Sequence, residues 1–203
     1  MSPPRPANDR AAQKCACRGR FRAARAALTD ASRAAAAAEL AARVVRLELG
    51  PVIAAYVPVG SEPGDDRLLA ALAARARVLL PVTPRVPGPL DWADFDGGFT
   101  PGPFGLREPR GPRLGAAALR QATTVLLPAL AVARTGVRLG RGAGYYDRSL
   151  VGLCGATLIA VVYDHELVDD LPAEPTDVSV DGALTPSGLV RFVGRPSESR
   201  PER

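Results

Sequence analysis

Four short apolar segments constrain the fold of this chain more than any other feature of its 203 residues. Each has the length of a strand that is buried on both faces of a sheet. Segments with the composition of helices lie between them. This alternation predicts an α/β fold, a three-layer sandwich around a mostly parallel sheet, in which ligands bind at the carboxyl ends of the strands. The four segments are residues 52–57, 78–82, 123–130 and 156–163.

The domain boundaries follow from the composition of the chain ends. Residues 1–11 and 195–203 are polar and contain several prolines, which predicts disordered tails. We therefore predict one α/β domain at residues 12–194. Thr29 and Asp30 are suited to cap its second helix. The other expected elements are helices at residues 12–28, 30–49 and 66–76, a helix that ends near residue 153, and strands near residues 178–180 and 189–193.

The composition predicts a cytoplasmic protein. Apolar residues make up 47% of the chain, but apolar stretches such as residues 123–132 are far shorter than the roughly 20 residues that a membrane span needs. The N-terminus lacks the apolar core of a secretory signal. The cysteines Cys15, Cys17 and Cys154 suit free thiols in a reducing compartment better than a disulfide framework. We expect a monomer that does not bind a membrane.

The net charge of +5 is unevenly distributed along the chain. Residues 1–50 hold ten basic and four acidic side chains, so this segment carries +6. A basic segment of this kind can bind nucleic acid, a membrane surface or a small polyanion. The alternative is an arginine-rich helix in contact with solvent. No known nucleic-acid-binding module is recognisable, so we expect no nucleic-acid partner.

Residues 84–122 have the least regular pattern, because proline and glycine are frequent among scattered aromatic residues. A long excursion inside a compact domain is often functional, so this segment is a candidate cover for a binding site. The alternative is that its aromatic side chains pack on the sheet. The aromatic residues are Trp92, Phe95, Phe99 and Phe104.

Three glycines at alternate positions distinguish residues 138–148, the run RLGRGAGYYDR. Gly140, Gly142 and Gly144 allow a ligand to approach the backbone closely. The helix expected after them directs its free N–H groups toward an anion. The alternative is a tight turn with a solvated basic rim. Arginines add donors suited to phosphate or carboxylate, and these are Arg138, Arg141 and Arg148.

The end of this run adds a metal ligand and two aromatic rings. Asp147 supplies a hard oxygen of the kind that holds Mg²⁺ beside a nucleotide. Tyr145 and Tyr146 are suited either to stack on a planar ring or to pack in the core. The pattern as a whole favours a site for a phosphorylated ligand.

The same run resembles the signature of the 5-formyltetrahydrofolate cyclo-ligase (methenyltetrahydrofolate synthetase) family, R-L-G-x-G-x-G-Y-Y-D, at every fixed position. Other segments resemble the family in the same order along the chain, so the resemblance covers roughly residues 14–193. The K-x-x-L-R of the family resembles residues 14–18, where Cys17 stands in place of leucine. Further matches are residues 56–62 (Y-x-x-x-x-x-E), residues 104–109 (G-[IL]-x-E-P), and residues 171–172 with 177–181 (L-P…D-x-x-x-D).

The resemblance implies an ATP- and Mg²⁺-dependent conversion of 5-formyltetrahydrofolate to 5,10-methenyltetrahydrofolate, with release of ADP and phosphate. In the family pattern, Val57, Glu62 and Tyr145 bind the folate, and Asp147 and Asp177 hold Mg²⁺. Together with ATP, the folate would be the partner of this chain.

Arg141 and Tyr146 are the candidate catalytic residues on this resemblance. Some relatives carry lysine where this chain has Ala143, so Arg141 or Lys14 would compensate for it. The residues implied for ATP are Lys14, Arg18, Arg138, Leu139, Gly140, Arg141, Gly142, Ala143, Gly144, Tyr145 and Tyr146.

Two alternatives come from other classes of protein. The implied fold is Rossmann-like and is shared with sugar-phosphate isomerases and CoA-transferases, so an enzyme of that kind is the first alternative. A basic nucleic-acid-binding protein is the second. A site for a nucleotide and a metal is favoured over both alternatives by the paired tyrosines, by Asp147 and by a second aspartate near the end of the chain.

Overall fold

A seven-stranded sheet forms the centre of the protein in a computed structural model, which describes residues 7–192. Two smaller sheets accompany it. The helices are α1 (Ala7–Ala26), α2 (Asp30–Val44), α3 (Asp66–Ala73) and α4 (Tyr145–Leu150). The strands are β1 (Val52–Ala54), β2 (Arg77–Val82), β3 (Asp91–Asp94), β4 (Phe99–Pro101), β5 (Arg107–Pro109), β6 (Thr124–Pro128), β7 (Ala131–Ala133), β8 (Arg138–Leu139), β9 (Thr157–Val161), β10 (Leu167–Val168), β11 (Gly182–Thr185) and β12 (Gly188–Arg191).

The central sheet has the strand order β12-β11-β9-β6-β1-β2-β3. Its five inner strands are parallel, and only the two edge strands, β12 and β3, run antiparallel to their neighbours. The prediction of a mostly parallel sheet is confirmed. Because the inner strands are parallel, their carboxyl ends lie at one edge, where loops from several strands meet.

Side chains of the inner strands alternate between two hydrophobic clusters, one on each face of the sheet. Leu126 of β6 packs on one face with Leu40 of α2 and Leu69 of α3. Its neighbour Leu127 packs on the other face with Leu150 of α4. Each fully buried leucine contributes about 1.5–3 kcal/mol of transfer free energy. This alternation produces the predicted three layers.

Helix α1 packs against a three-stranded sheet of order β10-β7-β8, through Phe21. It begins at Ala7, so residues 7–11, which we assigned to the N-terminal tail, belong to the helix. The rest of the predicted tails, residues 1–6 and 195–203, lies outside the described residues. The assignment of residues 12–194 to one domain stays a prediction.

Several predicted elements are shorter in the structure. Helix α2 begins after Thr29, whose hydroxyl accepts from the Ser32 N–H at 3.1 Å, and ends at Val44 rather than residue 49. Helix α4 ends at Leu150, not near residue 153. Residues 178–180 are not a strand, because Val180 donates instead to the carbonyl of Gly136 in a loop. The last parallel strand is β11.

The aromatic residues of segment 84–122 divide between the two predicted roles. Trp92 of β3 is fully buried in the core, and the Phe95 and Phe99 rings pack together at 5.2 Å. Phe104, in contrast, is 73% exposed and has left-handed backbone angles (φ 59°). The segment therefore adds the edge strand β3 and core residues to the sheet, and it also borders a cavity, through Leu90 and Phe104 among others.

None of the helices within residues 7–192 is long and apolar enough to span a membrane.

Candidate active site

Two cavities meet at the carboxyl ends of β1, β2 and β6. The first, the apolar cavity, has a volume of about 340 Å³. Pro81 and Pro128, at the ends of β2 and β6, form part of its wall. Its remaining lining residues are Tyr56, Val57, Val59, Glu62, Thr83, Leu90, Phe104, Leu106, Arg107, Arg138, Gly140, Arg141, Gly142, Ala143, Gly144, Tyr145, Tyr146 and Asp147.

The second, the charged cavity, has a volume of about 700 Å³ and lies against α1. Four of its residues are basic and three are acidic. The basic residues are Lys14, Arg18, Arg138 and Arg148, and the acidic residues are Asp147, Glu174 and Asp177. A polyanion suits this cavity because the cations are clustered around one space.

The two cavities share a wall made by the glycine-rich loop, residues 140–144. Gly140, Gly142 and Gly144 line both cavities, as do Arg138 and Asp147. A molecule in one cavity therefore contacts the same loop as a molecule in the other. This arrangement suits transfer of a group between two bound molecules.

Positive φ angles explain two of the glycines in this loop. Gly142 has φ 108° and Gly144 has φ 71°, values that disfavour residues with a Cβ atom. Gly144 directly precedes α4, which has only six residues. The dipole of such a short helix is small, so loop N–H groups and arginine side chains supply most of the attraction for an anion.

Helix α1 holds the loop from the side of the charged cavity. Arg18 donates from Nε to the carbonyl of Gly140 at 3.0 Å. Arg22 donates from Nη2 to the carbonyl of Arg141 at 3.1 Å. These bonds fix the loop backbone and also place Lys14, one turn before Arg18, in the cavity wall.

Lys14 is buried and lies between two carboxylates. Its Nζ is 2.8 Å from Glu174 Oε2 and 2.7 Å from both carboxylate oxygens of Asp177. The Glu174 N–H donates to Asp177 Oδ2 at 2.7 Å, so the three residues form one cluster. The Lys14 ammonium lowers the pKa of the Glu174 carboxyl below its ordinary value.

Arg138 orients the other carboxylate of the site. Its side chain is 3% exposed, and Nη2 donates to Asp147 Oδ1 at 2.6 Å while Nη1 donates to the Pro128 carbonyl at 3.2 Å. Within the described chain, its buried Nε has no hydrogen-bond partner. Arg138 therefore keeps donor capacity at the wall between the two cavities.

Glu62 is the only carboxylate with a buried side chain that lines the apolar cavity in the described part of the chain. Oε2 accepts from the Val59 N–H at 3.0 Å, and Oε1 lies 3.2 Å from Arg141 Nη1. Burial raises the pKa of Glu62, and the Val59 N–H and Arg141 oppose this shift. Additional N–H donors would therefore stabilise the ionised form of Glu62, and a ligand can supply them.

Tyr146 stands between the two hydrophobic clusters and lines the same cavity. Burial, with a smaller contribution from the charge of Glu62, raises the pKa of its phenol far above the ordinary value. The hydroxyl is therefore neutral at physiological pH and acts as a hydrogen-bond donor or acceptor, not as a base.

The two predicted metal ligands fit Mg²⁺ only together with a phosphorylated ligand. Asp147 and Asp177 line the same charged cavity, and each already contacts a cationic side chain. No group of three or more His, Cys, Asp and Glu side chains suited to a metal occurs within residues 7–192. Mg²⁺ commonly takes one or two carboxylates and completes its shell with substrate phosphates and water, and this donor set meets that requirement.

All residues that the sequence assigned to the site line one of the two cavities. Their individual roles stay predictions. Sequence reasoning missed Glu174, which contacts Lys14 and lies three residues before Asp177. It also missed the buried ion pair between Arg25 and Glu166, whose Nε–Oε1 distance is 2.6 Å. Glu174 carries no motif signal, and Glu166 lies 141 residues from its partner.

Comparison with known proteins gives consistent results. A sequence model described as the 5-formyltetrahydrofolate cyclo-ligase family matches residues 10–186. The 5-formyltetrahydrofolate cyclo-ligase of Mycolicibacterium smegmatis is 50% identical over 149 residues, which cover 70% of this chain and 77% of that protein. The mitochondrial protein of the same name from Arabidopsis thaliana is 39% identical over 85 residues, 36% of this chain and 31% of that one.

Solved structures give the same fold. The NMR structure of Aquifex aeolicus 5,10-methenyltetrahydrofolate synthetase superposes with a TM-score of 0.75 at 24% identity, over 90% of this chain and 95% of that one. The Mycoplasma pneumoniae 5,10-methenyltetrahydrofolate synthetase superposes with a TM-score of 0.66 at 22% identity, over 85% of this chain and 98% of that one. At these identities, the likeness confirms the fold.

Proposed function

The chain belongs to the 5-formyltetrahydrofolate cyclo-ligase family, and we propose that it converts 5-formyltetrahydrofolate and ATP to 5,10-methenyltetrahydrofolate, ADP and phosphate. The observation that carries this proposal is the pair of cavities that share the glycine-rich loop. The apolar cavity suits a folate ring system, and the charged cavity suits a nucleoside triphosphate. Their common wall is where the terminal phosphoryl group meets the formyl oxygen.

The chemistry explains why two adjoining sites are needed. The formyl oxygen of the substrate is a poor leaving group. Its attack on the terminal phosphorus of ATP releases ADP and leaves a phosphorylated oxygen. N10 then bonds to the formyl carbon, its proton is lost, and phosphate departs with the former formyl oxygen. In such a reaction, the protein mainly positions the reactants and neutralises charge.

On the folate side, Glu62 accepts hydrogen bonds from N–H groups of the pterin, and Val57 packs against its ring. Both line the apolar cavity, and the Glu62 carboxylate is fixed there by the Val59 N–H. Tyr145 lies at the loop edge of the cavity, where its ring is suited to stack on the folate. The neutral Tyr146 hydroxyl orients the formyl group.

On the nucleotide side, Lys14 and Arg18 bind ATP from α1, and N–H groups of residues 139–144 hold the phosphates. Arg138 and Arg141 add charged donors at the point of transfer. Ala143 has no charge to contribute, and Arg141 takes over the part that lysine has in some relatives.

Asp147 and Asp177 would hold Mg²⁺ between the protein and the phosphates. When bound, the ion offsets negative charge on the phosphoryl group during transfer. Arg138 keeps Asp147 oriented, and Lys14 does the same for Asp177. Each lysine or arginine also reduces repulsion between these carboxylates and the incoming phosphates.

Basic residues of α1 serve this site in the proposal, which includes no nucleic-acid partner. Lys14, Arg18 and Arg22 contact the loop or its acidic cluster, and Arg25 is buried against Glu166. Membership of the family also removes the support for a sugar-phosphate isomerase or CoA-transferase activity. Action as a monomer in the cytoplasm is part of the proposal.

The direct test is formation of methenyltetrahydrofolate, followed by its ultraviolet absorbance. We expect product when 5-formyltetrahydrofolate, ATP and Mg²⁺ are all present, and no product when ATP is omitted or EDTA removes the metal. One ADP should accompany each product molecule. A folded protein that forms no product under the complete conditions would contradict the proposed function.

The Michaelis constant for 5-formyltetrahydrofolate should rise as the pH falls. Burial raises the pKa of Glu62, so the carboxylate is protonated at a higher pH than an ordinary glutamate and loses its acceptor charge there. The measurement is a profile of the Michaelis constant from mildly acidic to mildly alkaline pH.

Two variants test whether Glu62 is the group that causes this pH dependence. Glu62→Gln should have a weaker and flatter pH dependence, with a higher Michaelis constant at neutral pH. Glu39→Gln, on the exposed surface of α2, should retain the profile of the unmodified protein. An equally steep profile in Glu62→Gln would assign the dependence to another group.

A further inference from the structure

Arg141 lies where the two cavities meet, and its side chain now faces the apolar one. Its Nη1 is 3.2 Å from Glu62 Oε1, and its side chain is 54% exposed, whereas that of Glu62 is 6% exposed. The residues on either side, Gly140 and Gly142, line both cavities. Arg141 is therefore within the shared wall but is paired with a residue of the folate side.

The backbone of Arg141 is held by hydrogen bonds, whereas its side chain is more than half exposed. Arg22 of α1 donates to its carbonyl at 3.1 Å, and Arg18 donates to the carbonyl of the preceding Gly140 at 3.0 Å. The long arginine side chain carries its charge several ångströms from this fixed point. Because the guanidinium is more than half exposed, water can solvate it while it changes partners.

Loss of the contact with Arg141 destabilises the Glu62 carboxylate unless another donor replaces the guanidinium. Glu62 is buried, and its other oxygen is committed to the Val59 N–H. A buried carboxylate that loses its cation is strongly unfavourable. A pterin that donates N–H groups to Glu62 removes this penalty, because it replaces the hydrogen bond that Arg141 provides.

We propose that Arg141 couples the two substrates: folate displaces it from Glu62, and the released guanidinium binds the phosphates of ATP. This inference rests on the proposed function, because it uses the same two cavities. Each substrate then increases the affinity of the other, and the two factors are equal by thermodynamic linkage. The Arg141 side chain also reaches the point of phosphoryl transfer only when the folate acceptor is present, which limits hydrolysis of ATP by water.

The test is calorimetric titration with a non-hydrolysable ATP analogue and Mg²⁺, with and without saturating 5-formyltetrahydrofolate. In the unmodified protein we expect folate to tighten analogue binding by about 5- to 150-fold, the usual range of coupling between two sites. In Arg141→Gln the factor should fall to about 1. The matched control is Arg134→Gln, which removes an exposed arginine that lies 3.7 Å from Asp169 and lines neither cavity, and it should keep the coupling.

Glu62→Gln separates this exchange from simple damage to the site. With no anion to hold Arg141, this variant should bind the analogue without folate as tightly as the unmodified protein does with folate. A gain of affinity of this kind does not arise from a disrupted loop. Coupling that persists undiminished in Arg141→Gln, or no coupling in an unmodified protein that binds both ligands, would overturn the inference. Failure of the unmodified protein to bind either ligand would instead overturn the proposed function.

Discussion

Asp147→Asn should lower turnover by at least about 10³-fold, while the protein remains folded. Groups that stabilise the charge of a transferring phosphoryl group have effects of about this size. The substitution removes the negative charge proposed to hold Mg²⁺ but keeps an oxygen that accepts from Arg138 Nη2, now 2.6 Å from the carboxylate. The measurements are turnover from methenyltetrahydrofolate absorbance and Mn²⁺ binding, by paramagnetic resonance, in the presence of the ATP analogue.

A control is needed because Arg138 loses its counter-charge in this variant. Circular dichroism should show native secondary structure and a melting temperature lowered by only a few degrees. Asp96→Asn alters a half-exposed aspartate that lies 3.5 Å from Arg110, away from both cavities, and should keep full turnover. Near-normal turnover or normal Mn²⁺ affinity in folded Asp147→Asn would remove Asp147 from the metal site.

Glu166→Gln should destabilise the fold by about 3–5 kcal/mol. Glu166 is fully buried, and its Oε1 and Oε2 accept from Nε and Nη2 of Arg25 at 2.6 and 2.8 Å. Oε2 also accepts from the Tyr163 N–H at 2.9 Å, at the end of β9. Loss of the carboxylate leaves the buried Arg25 charge without its partner. A melting temperature about 6–20 °C lower is the expected result, measured by calorimetry.

Two further variants locate the source of this loss. The double variant Arg25→Met with Glu166→Leu should recover at least half of the lost stability, because removing both charges is far less costly than removing one. Breaking the exposed pair in Asp96→Asn should cost at most about 1 kcal/mol. A loss in Glu166→Gln no larger than that would show that the buried pair does not anchor α1 to the sheet.

The anchoring of α1 also connects stability to the site. Arg25 lies on the same helix as Lys14 and Arg18, which form the wall of the charged cavity. Arg25 also donates to the Ala129 carbonyl, just beyond β6. The buried pair therefore fixes the position of both basic residues in the wall of the charged cavity.

Local patterns in the sequence were sufficient for the sheet and for the centre of the site. The inner strands contact a core on each face of the sheet, so they are continuous apolar runs of strand length, and this pattern is visible in the sequence. The glycine-rich run predicted a loop suited to a phosphorylated ligand, because glycine, arginine and aspartate keep their chemistry in any context, and the structure places this loop between the two cavities. Val57 and Glu62 were assigned to the site because of the resemblance to the family, since no local pattern distinguishes them.

Element ends and charge partners were decided only by the tertiary structure. Residues 178–180 have the pattern of a strand, yet Val180 bonds to a loop carbonyl and the strand begins at Gly182. Helix ends depend on where the next element must begin, which local propensity does not contain.

The sequence by itself determined which chemical groups this protein possesses, and folding decided which of them meet. Twenty-six basic and twenty-one acidic side chains allow hundreds of pairings, and the sequence does not select among them. The structure pairs Arg141 with Glu62, Lys14 with Asp177 and Arg25 with Glu166. The physical reason is that the energy of a charge pair depends on distance and burial, and both are set by the packing of residues far apart in the chain.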